Sequence, residues 1–304
     1  MSTRVGFVGL GHMGGPMCER VVQGGFEVSA FDLRPEAVDA IASVGATPAA
    51  SAAECAATAD VLVTMLPAPP HVEDVLLGAG GALAALPDGA LAIDMSTSSP
   101  ALGRRIAEVA AQRRIGFLDA PVADALKARD GDLHIFVGGE ATDVARARPV
   151  LETMGRPERV VHVGPGGAGY TVKLLVNLQW FVHAAAAAEA LAIGTRAGID
   201  LRTLHTALAA GPARSSFLEN EALEVLQDGE YGERFPLGLV AKDLDMALEL
   251  ARDSGIPADV SARTHDLYAR VLERYGAGAG EMAVVRHYED IAGAPLRFEA
   301  PDGG

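Results

Sequence analysis

Two groups of residues in this chain have the types and spacing to do chemistry together. Near its start the chain reads Val5-Gly-Phe-Val-Gly9-Leu10-Gly11-His12-Met13-Gly14, a G-x-G-x-x-G between an apolar run and a helical one. In such a pattern the first glycine permits a tight turn, the second lets the backbone approach a pyrophosphate, and the third allows close helix–strand packing. The N–H groups at the helix start then draw the phosphates. Asp32 follows at the end of the next apolar run, eighteen residues past Gly14, with Leu33 and Arg34 behind it. A carboxylate there accepts hydrogen bonds from both ribose hydroxyls and repels a 2′-phosphate, so NAD is expected. Arg34 could partner that phosphate, which keeps NADP as the lesser reading. The second group is Lys173, Asn177 and Trp180, which share a helix face by their spacing. Exchanging an alcohol for a carbonyl requires a group that passes a proton to or from oxygen while hydride moves at carbon. A lysine serves if burial lowers its pKa, and Leu174, Leu175 and Val176 predict a buried segment around it.

Only three of the 25 basic residues are lysines: Lys127, Lys173 and Lys242. In a chain that otherwise uses arginine, a retained lysine marks either a place where a compact, titratable ammonium matters or a survivor of compositional bias.

The elements that must position these groups follow from the hydrophobic pattern. Short apolar runs at 4–8, 28–31, 61–65, 91–94, 117–119, 134–137 and 160–163 read as strands. They alternate with helical stretches at 13–23, 35–44, 71–76, 100–113 and 142–154. That alternation predicts a mostly parallel sheet covered on both faces. The pattern changes at Gly164-Pro-Gly-Gly-Ala-Gly169. Beyond it only helical periodicity remains, beginning with a candidate helix of about seven turns over 170–197. The fold class expected is therefore α/β, a Rossmann-type doubly wound parallel sheet over residues 1–164. A second, all-α domain for substrate and dimerisation follows over 165–298, entered by the long interdomain helix. The polar tail after Phe298 is expected to fray.

Composition narrows the partners. The chain has 304 residues, enough for two ordinary domains, and a net charge of −15, which argues against nucleic acid because phosphate binding needs a basic face. No charge-free apolar run of about 18 residues appears, so no membrane span is expected, and the N-terminus enters a strand too early for a signal peptide. Cys18 and Cys55 form neither a disulfide framework nor a metal set, which suits a cytoplasmic protein without a metal.

With these motifs in view, the sequence resembles the β-hydroxyacid dehydrogenase family, which includes 3-hydroxyisobutyrate and tartronate-semialdehyde reductases. The resemblance spans roughly Val5 to Tyr288. It rests on Gly9 to Pro16, Met65-Leu66-Pro67, Asp94-Met-Ser96-Thr97, Asp119-Ala-Pro-Val122, Val137-Gly-Gly139, Gly167 to Asn177 and Lys242-Asp-Leu244. It implies a 6-phosphogluconate dehydrogenase-like NAD-binding domain joined to an all-α domain, in homodimers or homotetramers, acting on a small molecule. By resemblance Lys173 is the proton donor or acceptor and Asn177 a substrate contact, with Trp180 beside it. Leu66 and Pro67 line the cofactor, Thr97 lies beside it, Ser96 faces the substrate, and Lys242 reaches cofactor and substrate. Two of the three lysines thus fall on the family's functional positions, although a pairing of Lys242 with Asp243 or Asp245 is the plainer reading of its neighbours.

One segment departs from the family. Where Ser-Gly-Gly usually holds the substrate carboxylate, this chain has Ala123-Asp124-Ala125. Asp124 would repel an anion there. Either it reads a cationic group on the substrate, or it turns away and Lys127 with Arg129 receives the anion, or the change is a surface variant. The leading expectation is reversible hydride transfer between NAD(H) and a β-hydroxy acid or related primary alcohol or semialdehyde, with Lys173 as general acid and base. Imine reductases share the architecture but typically lack the lysine. A non-catalytic NAD-binding protein on the same fold would be expected to have lost it. 6-Phosphogluconate dehydrogenase itself has a considerably larger α domain.

Overall fold

Apolar residues spaced two apart in the first half divide between the two faces of one sheet. In the computed structural model, which describes residues 3–232 and 235–298, Val5 and Phe7, Val61 and Val63, and Leu91 and Ile93 lie in one core. The residues between or beside them, Val8, Leu62 and Ala92, lie in the core on the other face. This is the period-two alternation of a strand buried on both sides. The nine strands are β1 (Arg4–Val8), β2 (Glu27–Phe31), β3 (Thr47–Pro48), β4 (Val61–Thr64), β5 (Leu91–Asp94), β6 (Gly116–Asp119), β7 (Val122–Ala123), β8 (His134–Gly138) and β9 (Val160–Gly164). Their order is β3-β2-β1-β4-β5-β6-β8-β7, with β9 also paired to β8. Pairing is parallel from β3 to β6. The order reverses direction at β1, so the crevice between the ends of β1 and β4 is the switch point where such sheets take ligands.

The sheet is not wholly parallel. β8 runs antiparallel to β6 and β7 and parallel to β9. Ten residues, 124–133, separate β7 from β8, fewer than the dozen or more that a parallel crossover takes. The helix Ala52–Ala57 also lacks a counterpart in the hydrophobic pattern, because its sequence Ala-Ala-Glu-Cys-Ala-Ala has too few large apolar residues to show a period. Its signal lies in the cap instead. Ser51 Oγ accepts from Glu54 N at 3.0 Å, and Glu54 Oε2 accepts from Ala50 N at 2.7 Å.

The chain divides into two compact units, Met1–Lys173 and Leu174–Gly304. The helix Ala168–Arg196 runs through that division. Within the second unit its residues Phe181, Ala184, Ala188 and Leu191 form one stripe in a core shared with Leu237, Val240, Leu244, Tyr268 and Val284. The alanine run is therefore a small-residue packing face. Among the described residues this helix alone has the length and mean hydropathy, 1.3, to cross a membrane, although Lys173 and Glu189 interrupt its apolar run. The chain over 217–228 takes two wide π turns, Phe217–Glu221 and Glu224–Asp228. The tail after Phe298 lies outside the described residues.

Within the first unit, the start of the long helix is clamped to the sheet by two acids. Asp94 ends β5 and Asp119 ends β6, and both are fully buried. Tyr170 Oη donates to Asp94 Oδ2 at 2.6 Å, while Tyr170 N and Gly167 N donate to the two oxygens of Asp119 at 2.9 and 2.7 Å. Burial pushes the Asp119 carboxyl up to about 6 against the pull of these N–H groups. A folded-state pKa above the unfolded value means that this stabilising contribution is present in full below about pH 4 and lost as pH rises through 6. Replacing Asp119 with Asn puts an amide donor against one of two backbone donors. Asp119→Asn should cost about 1–3 kcal/mol at pH 5, and urea denaturation should show that deficit narrowing by about 1 kcal/mol at pH 7.5.

Candidate functional site

The glycine loop leaves β1 in a conformation closed to other residues. Gly9 has φ +94°, and a Cβ there would collide with the Met65 carbonyl, while one on Gly14 would collide with the Gly9 carbonyl. Gly11 differs: nothing but the tip of Arg34, 4.0 Å away, approaches the place of its missing side chain. The bare backbone there is not required by the fold and offers a cradle for a ligand. The helix that follows, Gly14–Gln23, has no side-chain cap, so its N-terminal donors face the same space. A dinucleotide pyrophosphate fits these residues. His12 is exposed, Met13 half-buried and Leu10 buried.

Asp32 has partners within the protein. Its Oδ2 accepts from Leu10 N at 2.7 Å and its Oδ1 from Arg34 N at 2.9 Å, and the Arg34 guanidinium pairs with it at 3.1 Å. Arg34 also donates to Leu10 O at 3.2 Å. Burial raises the Asp32 pKa, but the hydrogen bonds from Arg34 and Leu10 and the arginine charge outweigh it and hold the carboxyl below the usual range. The acid therefore braces the glycine loop as well as facing the crevice. Leu33 points into solvent.

Leu66 and Pro67 follow β4 and Thr97 follows β5, at the same carboxyl edge of the sheet. Leu66 lies against Gly9, within 3.1 Å of where a Cβ would sit. Ser96 departs from its expected role. It is fully buried, donating to Asp94 Oδ1 at 2.8 Å and accepting from Leu66 N at 2.8 Å. Its hydroxyl is spent on joining the loops after β4 and β5. The family motif puts Ser96 just after β5, and nothing in the residue pattern marks its hydroxyl as pointing inward.

Lys173 lies three residues past the clamped Tyr170. The segment after it is only partly buried: Leu174 is fully enclosed, but Leu175 and Val176 are 49% and 38% exposed. A helix lets one face of such a run pack while the others meet solvent. Further along, in the second unit, Asn177 Nδ2 donates to Asp243 Oδ2 at 2.6 Å. Because a carboxylate only accepts, the amide nitrogen must face Asp243, and the Asn177 carbonyl oxygen is left as the acceptor for other groups. Lys242 pairs with Asp243 at 3.0 Å, while Asp245 pairs with His265. Asp243, 1% exposed, is the orienting acid that sequence reasoning weighed only as a surface partner. Trp180 packs edge-on against Phe181 and Phe217, both centroids 5.5 Å away, as part of the helical core's wall.

The substrate-loop residue Asp124 turns to protein partners. Its Oδ2 accepts from Arg159 Nη1 at 3.0 Å and lies 3.4 Å from His134 Nδ1. Its backbone is left-handed, φ 64° and ψ 52°, a conformation glycine takes freely and aspartate tolerates. The loss of both glycines has not prevented a left-handed turn at this position. Ala123 is half-buried in β7, Lys127 is exposed, and Arg129 reaches toward Glu19 at 3.9 Å.

Comparison with known proteins agrees with this geometry. Residues 4–164 match the NAD binding domain of 6-phosphogluconate dehydrogenase. Residues 167–288 match the NAD-binding domain of NADP-dependent 3-hydroxyisobutyrate dehydrogenase. The chain is 38% identical to a 3-hydroxyisobutyrate dehydrogenase of Pseudomonas aeruginosa over 88% of its length and 91% of the relative's. It is 35% identical to an NAD-dependent L-serine dehydrogenase of the same organism, covering 94% and 98%. A structure of Mycobacterium tuberculosis 3-hydroxyisobutyrate dehydrogenase with L-serine superposes with a TM-score of 0.86 at 30% identity, covering 94% of this chain and 99% of that one. The buried hydroxyl of Ser96 makes a prediction. Ser96→Ala should lower stability by about 1–3 kcal/mol in chemical denaturation, through the orphaned Leu66 N–H, and leave substrate KM within about twofold. A large rise in KM with unchanged stability would put the hydroxyl on the substrate instead.

Proposed function

We propose that this chain, which belongs to the β-hydroxyacid dehydrogenase family and is a nicotinamide-dependent oxidoreductase of hydroxy acids, uses NAD as its dinucleotide and Lys173 as its general acid and base. The observation that carries the role of Lys173 is the clamp just before it. Tyr170 is tied through Asp94 and Asp119 to the carboxyl ends of β5 and β6, on the sheet edge that also bears the glycine loop of β1. A lysine less than one turn beyond so rigid an anchor has its backbone, and so the origin of its side chain, positioned in advance, which favours proton transfer from a fixed place. The nicotinamide supplies the hydride acceptor or donor when bound. In oxidation neutral Lys173 takes the proton of the substrate hydroxyl at Nζ, and in reduction the protonated form returns it to the carbonyl oxygen. Asn177, one turn on with its carbonyl oxygen left as an acceptor, is proposed as the substrate contact.

NAD is favoured by the state of Asp32. Its lowered pKa keeps it negative at neutral pH, and Arg34 is already engaged with it and with Leu10 O. A 2′-phosphate would meet that carboxylate at close range. We further infer a homodimer or homotetramer, supported by the exposed Leu175, Val176 and Ile193 along the long helix. A reducing, cytoplasmic setting suits two buried cysteines, one of which, Cys55, burial pushes up to about 11.

Lys173→Ala should reduce kcat by at least about a thousandfold while the Kd for NADH, read by fluorescence titration, stays within about threefold. Turnover close to wild type would remove lysine from the mechanism. Asp32→Ala should lower the NAD:NADP ratio of kcat/KM by about tenfold or more, and an unaltered ratio would show that the acid does not read the ribose.

A further inference from the structure

Beyond the carboxyl end of β6 the chain continues along β8 as β7, through the pairs Val122 with Ile135 and Ala123 with His134, and Asp124 follows with a negative charge. Resting on the hydroxy-acid reading above, we propose that Arg159 is a specificity-determining positioning residue. It holds the Asp124 carboxylate neutralised, so that a substrate with its own carboxylate is accepted beside the loop Ala123–Lys127.

Arg159 is itself fixed before it reaches Asp124. Its Nη1 donates to Asp132 O at 3.0 Å as well as to Asp124 Oδ2 at 3.0 Å, and its Nε lies 3.2 Å from Asp132 Oδ1. Asp132 is nearly buried and is also paired with Arg156 at 2.9 Å. Asp124 and Asp132 are thus balanced by Arg156 and Arg159. With that balance in place, Lys127 and Arg129 stand against Asp130 among the remaining charges of this loop, and the region meets an anion without a net negative charge. Only a guanidinium has the planar fork to serve three oxygens on two segments at once. Asp124 lies 35 residues from Arg159 in sequence, and the left-handed turn at Asp124 brings its carboxylate to this partner. The aspartate that stands where the family has glycine therefore comes with its own counter-charge. Removing Arg159 would release an uncompensated carboxylate into the path of an anionic substrate, and like charges at a few ångströms weaken binding by roughly tenfold even with strong screening.

The test compares 3-hydroxyisobutyrate with its uncharged methyl ester as substrates at saturating NAD, in the full-length enzyme. Arg159→Ala should raise KM for the acid about tenfold, keep kcat within about twofold, and leave KM for the ester within about twofold. Arg159→Lys should fall between the two enzymes. Adding Asp124→Asn to Arg159→Ala should return KM for the acid to within about threefold of wild type, which a simple loss of structure would not do. If Arg159→Ala does not fold by circular dichroism, Arg159→Gln carries the same comparison. Equal increases for acid and ester, or no recovery on adding Asp124→Asn, overturn the proposal while leaving the hydroxy-acid reading intact. Where 3-hydroxyisobutyrate is not turned over, L-serine or L-threonate and its methyl ester carry the same comparison, and a wild-type enzyme that turns over none of the three acids overturns that reading and this proposal with it.

Discussion

Two buried carboxylates hold the catalytic half of this molecule together. Asp94 and Asp119 close adjacent parallel strands, and burial makes ionising them costly. That cost is partly offset by donors: the Tyr170 phenol, the backbone N–H groups of Ser96, Gly167 and Tyr170, and the hydroxyls of Thr64 and Ser96. Such a network is unforgiving, since every member left unpaired costs about what a hydrogen bond gains. Its consequence is geometric. The first turn of the long helix, and Lys173 with it, has one position relative to the sheet edge where the glycine loop begins.

The same economy recurs around the cofactor loop. Asp32, Arg34 and Leu10 form a closed set, so the acid proposed to read a ribose also supports the glycine loop. Binding and loop shape are thereby coupled through one side chain. Ser96 shows the complementary case, a hydroxyl at the carboxyl edge of the sheet that turns inward to join two loops. Asp243 does for Asn177 in the second unit what Asp94 does for Tyr170 in the first, orienting a polar group by leaving it a single way to donate.

Most of the architecture could be read from the chain before any coordinates. The alternation of Val5, Phe7 and Val8, or of Val61, Leu62 and Val63, encodes two-sided burial directly, and the alanine run announces a close-packed helix face. Short elements escaped because they carry too few residues to show a period. Ala52–Ala57 is marked by its cap alone, and β7 is only two residues long. The antiparallel placement of β8 escaped because pairing direction depends on the connection and leaves no trace in composition.

What the sequence determined by itself was local: the strands and helices, the glycine turn, and the residue types able to hold a dinucleotide and move a proton. These follow from periodicity and backbone freedom, which act between near neighbours. What only the tertiary structure decided was the partnership of each charged or polar group. Asp124 looked like a charge set against an anion, and it is an ion pair with Arg159. Ser96 looked like a substrate contact, and it is a buried brace. Leu175 and Val176 looked like core, and they lie on the solvent side of a helix whose other face is packed. Coulombic and hydrogen-bonding energies depend on distance and burial in three dimensions, and those are set by segments that the chain order keeps far apart.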